Sequence, residues 1–175
     1  MATDRSTAGG GLPPPTLVIG VGNRHRHDDA VGLDAVERVR PRLPPGVRVV
    51  AFEGESTGLL DLWEGAGLVV LVDATAPTGR PGTVHRFEGD LAPFFAAPPP
   101  TSTHGLSVGE AWRLGGLLGR RPARLVVFGV EGAEFSPGIG LSAAVAASVD
   151  PVVEAVVREV GTGGGVREPG ARTDA

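Results

Sequence analysis

Three residues far apart in the chain carry side chains that could share one divalent ion: Asp29, Asp73 and His104. Asp29 is the second acid of the pair Asp28-Asp29, which follows the apolar run Leu17–Val21 through Gly22, Asn23 and the segment Arg24-His25-Arg26-His27. Asp73 closes the strongly apolar run Leu68–Val72, and His104 ends a Pro-rich stretch just before a helical pattern that starts near Gly105. Two oxygens and one nitrogen suit a borderline ion such as Ni²⁺ or Zn²⁺ with coordination positions left open. The same three positions read equally well as structural parts: Asp29 favouring a helix N-terminus, Asp73 bonding loop amides, His104 capping its helix. Spacing alone leaves both readings standing.

Other residues offer other chemistry. His25 and His27 form an H-x-H pair, but Arg24 and Arg26 alternate with them and would repel a cation, so they read as exposed loop residues. His85 lies inside a strand-like run and reads as structural. Gly54-Glu55-Ser56-Thr57-Gly58 is formally G-x-S-x-G, and with Asp73 and His104 it follows the chain order Ser, Asp, His of a serine hydrolase. Against that alternative, Glu55 beside the serine would oppose a developing oxyanion, and few strands precede the segment. A dinucleotide-binding module is a third reading, from Gly20-x-Gly22 after a strand and Glu53 ending the next, but the sixth fingerprint position is His25 rather than Gly.

The elements that must position these groups alternate in period. Short β-branched runs occur at Leu17–Val21, Val47–Phe52, Leu68–Val72, Thr83–Phe87 and Leu125–Val130, each bounded by Gly, Pro or Asp. Helical patterns fall at Asp29–Arg40, Thr57–Trp63, Gly105–Leu118 and Ser142–Val160. Pro151 lies inside the last, leaving either a kinked helix or two helices with Asp150 capping the second. Alternating strands and helices predict a three-layer α/β/α domain over residues 16–160, with a mainly parallel, twisted sheet of about five strands. In that architecture ligands bind beyond the carboxyl ends of the strands, where Asp29, Asp73 and His104 fall. Residues 1–15 and 161–175 lack apolar periodicity and are expected to be disordered tails.

Composition removes several classes of function. The chain has 175 residues, no Cys and no Tyr, so a thiol nucleophile, a thiolate metal site and a phenol acid are all excluded. All 16 basic residues are Arg, and the net charge of -4 argues against a general nucleic-acid binder. No apolar run approaches the length of a membrane span, and the amino end has no apolar signal segment, so a cytoplasmic protein is expected.

Taken together, the blocks resemble a known family. Gly20-Val-Gly-Asn23 with Asp28-Asp29-Ala-Val-Gly32, Val72-Asp73-Ala74, Gly79-Arg-Pro-Gly82-Thr83-Val84 and Ser102-Thr-His104 are four of them. Phe128-Gly129-Val130-Glu131-Gly132 and Gly138-Ile-Gly140-Leu141-Ser142 continue in the same order, and the whole is similar to the maturation endopeptidases of nickel–iron hydrogenases. The resemblance spans Leu17 to about Val160. It implies an endopeptidase that removes a short C-terminal extension from a hydrogenase large-subunit precursor after nickel insertion. It further implies that Asp29, Asp73 and His104 contact nickel carried by the precursor, with Asp29 and Asp73 the catalytic candidates and no organic cofactor. The segment after the second strand, with Gly54, Ser56, Thr57 and Gly58, is expected to contact the substrate. Ala30 stands where the family often has Gly, and Arg24–His27 where it usually has apolar residues.

Overall fold

The computed structural model describes residues 14–54, 56–89, 91 and 108–163. Five strands form one sheet: β1 (Thr16–Val21), β2 (Arg48–Phe52), β3 (Leu68–Thr75), β4 (Val84–Glu88) and β5 (Arg124–Glu131), in the order β2-β1-β3-β5-β4. All neighbours are parallel except β4, which runs antiparallel to β5 at the edge. Four α-helices cover it: α1 (Val31–Val39), α2 (Ser56–Trp63), α3 (Val108–Leu118) and α4 (Ala143–Gly163). This is the expected mainly parallel α/β arrangement.

The layers follow from side-chain alternation. Val70, Val72 and Ala74 of β3 pack with Val126, Phe128 and Val130 of β5 against Val31, Val36 and Val39 of α1 and Val145, Val149 and Val153 of α4. Val69 and Leu71 point the other way, with Ile19, Leu125 and Val127, toward Leu59, Trp63 and Ala111 of α2 and α3. Because β3 is covered on both faces, Leu68–Val72 is a continuous apolar run with every residue buried, the pattern of a central parallel strand.

Several expected boundaries shift. β3 extends to Thr75, so Asp73 lies within the strand, two residues before its end, rather than beyond it. The expected helix Asp29–Arg40 is divided into a 3₁₀ turn at His27–Ala30, α1, and a second 3₁₀ turn at Arg40–Arg42. Pro151 is inside one uninterrupted helix, α4; Pro151 and Ala147 both face solvent, so the carbonyl that loses its partner is hydrated. Asp150 is not a cap: its carboxylate accepts a bond from Arg38 Nη1 at 2.9 Å. At the ends, Pro15 O accepts the Gly67 N–H at 3.0 Å and Gly161–Gly163 continue α4; residues 1–13 and 164–175 lie outside the described residues.

Two features bring the top of the sheet into shape. The start of α1 is pressed onto β1 and β3 through glycines: a Cβ at Gly20 would lie 2.0 Å from Gly32 O, and one at Gly32 would lie 2.3 Å from Val21 O and 2.4 Å from Val72 O. Backbone meets backbone there, so nothing can yield. The second is Glu131, 1% exposed at the end of β5, which accepts bonds from Thr78 N at 2.7 Å, Thr78 Oγ1 at 2.7 Å and Arg80 N at 2.6 Å. It ties the turn before β4 to the sheet. Burial alone would raise its carboxyl, but these bonds outweigh burial and hold it below the usual glutamate value.

Gly32→Ala is expected to destabilise the fold by about 3 kcal/mol in urea unfolding, a backbone clash rather than a propensity effect, since Ala is otherwise the better helix former. Glu131→Gln tests the second feature by its pH dependence. A depressed folded-state value means that the carboxylate stabilises the fold fully above about pH 4.3 and loses that contribution as pH falls through the depressed value. The stability gap between wild type and Glu131→Gln should therefore be widest near neutrality and narrow progressively below about pH 4.

Candidate functional site at the carboxyl ends of the strands

Asp28 and Asp29 are adjacent in sequence and opposite in role. Asp28 is 0% exposed, and its carboxylate accepts four bonds: from Ala133 N at 2.8 Å, Glu134 N at 2.9 Å, Ser142 N at 2.7 Å and Ser142 Oγ at 2.9 Å. Burial would push this carboxyl up, yet the bonds together hold it below the ordinary aspartate value. The Asp28 N–H in turn donates to Glu134 O at 3.0 Å. Asp28 thus clamps the loop after β5 and the start of α4 to the 3₁₀ turn.

That clamp leaves Asp29 turned to the other side. Its N–H donates to Arg26 O at 3.1 Å and its carbonyl accepts the Asn23 N–H at 3.2 Å, which fixes the backbone that carries its side chain. Asp29 is half-buried, and burial raises its carboxyl above the usual value against the pull of the Arg26 guanidinium. The rest of the loop is also fixed. His27 sits at φ 46° with Nδ1–H donating to Gly140 O at 2.9 Å, and its ring fills the space where a Gly138 side chain would stand, since a Cβ there would be 1.9 Å from Nε2. The expectation of two exposed loop histidines holds for His25 only; His27 is packed.

Asp73 faces the same rim from β3. It is half-buried, its Oδ1 accepts the Ala74 N–H at 2.8 Å, and its carboxyl is pushed well above the ordinary value, by burial first and by the charge of Asp29 second. Two of the three expected ligands are therefore within electrostatic range of each other, and His104 lies outside the described residues. Among the described residues, no three acidic or imidazole side chains gather around a common point. The pair is an incomplete set of donors. Two neighbouring carboxylates with raised proton affinity favour either a proton or a cation between them, and a divalent ion would relieve their repulsion.

The segment after β2 is arranged around an aromatic ring. Cβ atoms at Gly54 and Gly58 would lie 2.8 Å and 3.0 Å from Phe52 Cζ, so both glycines make room for that ring. Thr57 is exposed on the first turn of α2. Ser56 opens α2 four residues after the edge strand β2, whose last residue, Phe52, is already two strands and so roughly 10 Å from the Asp73 row. A Ser56–Asp73–His104 relay is not favoured by that topology, since the serine of a strand–turn–helix elbow belongs to a central strand.

Sequence reasoning missed the role of Asp28 and of Glu131. The available signal was residue type alone: an acid that folding buries, whether Glu131 at the end of a strand or Asp28 in a turn beside the sheet, must find donors. Which loop supplied the donors was not visible, because Ser142 is 114 positions away from Asp28.

Comparison with known proteins agrees with this architecture. A family model described as hydrogenase maturation protease matches residues 36–159. The hydrogenase expression/formation protein HupD of Thiocapsa roseopersicina is 30% identical over 144 residues, covering 81% of this chain and 65% of that protein, so the chain spans just under two thirds of its length. The hydrogenase 2 maturation protease of Escherichia coli is 30% identical over 146 residues, covering 81% of this chain and 87% of that protein. The solved structure of the hydrogenase maturating endopeptidase HybD from E. coli superposes with a TM-score of 0.70 at 25% identity, over 86% of this chain and 94% of that one. With the match running from the end of α1 through the Asp73 strand into α4, the chain belongs to the hydrogenase maturation protease family.

Proposed function

We propose that this chain is the endopeptidase that removes the C-terminal extension of a hydrogenase large-subunit precursor, and that it recognises nickel already seated in that precursor. The observation that carries the reading is the pair Asp29 and Asp73, two carboxylates of raised proton affinity at one rim of the sheet. Alone they are two donors short of a stable cation site. A nickel ion held by thiolates of the precursor would supply the missing charge and ligands, with His104 as a third ligand from this chain.

Ligation would fix the precursor's tail against the rim, turning an encounter between two chains into a positioned reaction. The ion can polarise a peptide carbonyl or a water molecule at that point, and a carboxylate oxygen left free by monodentate ligation can accept a proton from the attacking water. An empty precursor presents no cation, leaves the carboxylates repelling each other and is held poorly. Gly54, Ser56, Thr57 and Gly58, at the mouth of the neighbouring edge strand, are assigned to contact with the precursor. The activity is assigned to the cytoplasm, where no membrane crossing is needed; among the described residues no helix is long and apolar enough to span a bilayer.

The test is cleavage of a candidate precursor, loaded with nickel or left empty, read as a mobility change on a gel. Wild type should process only the loaded form, and Asp73→Asn should lower the rate on the order of 100-fold or more. Equal processing of both forms, or unimpaired cleavage by Asp73→Asn, would sink the reading. The same variant has a second expected outcome. Replacing a carboxyl that burial and Asp29 both disfavour as an anion should leave the melting temperature at pH 7 no lower than that of wild type, because the amide removes a repulsion and keeps the shape.

A further inference from the structure

The two edges of this sheet are treated differently. At β4 the edge is guarded by charge: Arg86 and Arg124 bond Glu88 and Glu159 through four contacts of 2.5–2.9 Å, the kind of device that keeps foreign strands from pairing. The upper half of β2 has no such guard among the described residues. Phe52 O accepts the Gly22 N–H at 3.2 Å, so Phe52, Val50 and Arg48 turn their backbone groups to β1, and by alternation Val49 and Ala51 turn theirs to the open side. The Val49 carbonyl is already taken, by Arg40 Nη1 at 3.1 Å. Ala51 is exposed, its side chain is too small to shade its own backbone, and among the described residues nothing bonds its N–H or its carbonyl. Glu53 and Gly54, just past the strand, are exposed as well.

This open stretch runs into the carboxylate rim. The Gly22 N–H that meets Phe52 O is followed by the Asn23 N–H, which donates to Asp29 O at 3.2 Å, so consecutive amides join the end of β2 to the backbone of Asp29. A chain lying alongside β2 would be two strand spacings, ~10 Å, from the end of β1, the span of about three extended residues. One face of the edge is flanked by Phe52, packed against the α2/α3 core; the other is flanked by Arg24, which pairs with Glu53 at 3.4 Å and bonds Glu37. An added strand would meet an aromatic ring with one set of alternate side chains and a charged cluster with the other.

Resting on the protease reading above, we propose that the upper edge of β2, at Ala51, binds the precursor's C-terminal extension as an added strand. Direction follows from the reaction. The extension lies C-terminal to the bond that is cut, so with that bond held at the rim it runs down the edge, antiparallel to β2. One tail residue then exchanges two hydrogen bonds with Ala51, and Arg40 on Val49 marks where the free edge ends. The backbone supplies affinity and position, as in other cases of strand addition, and takes no part in the chemistry.

Proline is tolerated on an edge strand where its missing N–H faces outward, so Ala51→Pro removes the free donor and keeps the ladder to β1. On nickel-loaded precursor it should raise KM about tenfold, with kcat within about twofold of wild type. The wild-type chain gives an independent reading: proline walked through the precursor's extension should raise KM at alternate positions, the period of a paired strand. That walk decides should Ala51→Pro fold poorly. Wild-type KM in folded Ala51→Pro, or a walk without a period of two, overturns the assignment and leaves the protease reading intact. So does a dimer in sedimentation that Ala51→Pro dissociates at wild-type KM, which would give the edge to a second copy of this chain. A wild-type chain that fails to cleave loaded precursor overturns both readings, and no variant is needed to see it.

Discussion

Two carboxylates of like charge share one rim of this sheet, and the surrounding structure keeps them there. Left to relax, Asp29 and Asp73 would separate, since each is half-buried and the charge of one raises the proton affinity of the other. They cannot separate because the elements that carry them are locked by contacts of a different kind. Backbone packs on backbone where Gly20 meets Gly32, which seats α1 against β1 and β3. Asp28 ties the turn holding Asp29 to the loop after β5 and the start of α4. Asp73 is embedded in the central strand, which pairs with β1 as far as Val72 and with β5 through Thr75. The strain of the site is borne by rigid parts.

Charge is divided between neighbours with the same economy. Asp28 and Asp29 have one residue type and one address, but four donors bond the first, while burial is the largest influence on the second and no donor bond to its carboxylate is seen among the described residues, so their proton affinities move in opposite directions. A carboxylate with a full set of donors is a structural joint; a carboxylate short of them is available to something else. The consecutive positions of a 3₁₀ turn point different ways, and this lets one loop supply a joint and a reactive group from adjacent residues.

The sheet was legible in the sequence because its signal is local. Leu68–Val72 is an unbroken apolar run, and only a strand covered on both faces buries one in so few residues. Asp73 stood out for a related reason, since an acid at the end of such a run is expensive to bury without a partner, whereas Asp29 stood out only as the second of two acids after the first strand. The limits came where the answer lay in distant chain. The continuity of α4 through Pro151 depends on solvent reaching Ala147 and Pro151, and the packed state of His27 depends on Gly138 and Gly140, more than a hundred positions onward. A single strand likewise shows alternation but not register, so the alignment of His85 with Asp73 across Gly129 exists only once β3, β5 and β4 are side by side.

The antiparallel edge strand gives this arrangement its asymmetry. Had β4 entered parallel to β5, it would have needed a helical crossover, and that helix would have covered a face of the sheet near the row of Asp73. Running antiparallel after a turn held by Glu131, β4 is joined to the sheet with its Asp73-row residue one strand beyond a glycine. The turn and the edge therefore act together: Glu131 fixes the entry of β4, and pairing with β5 across the buried Gly129 fixes the register of His85.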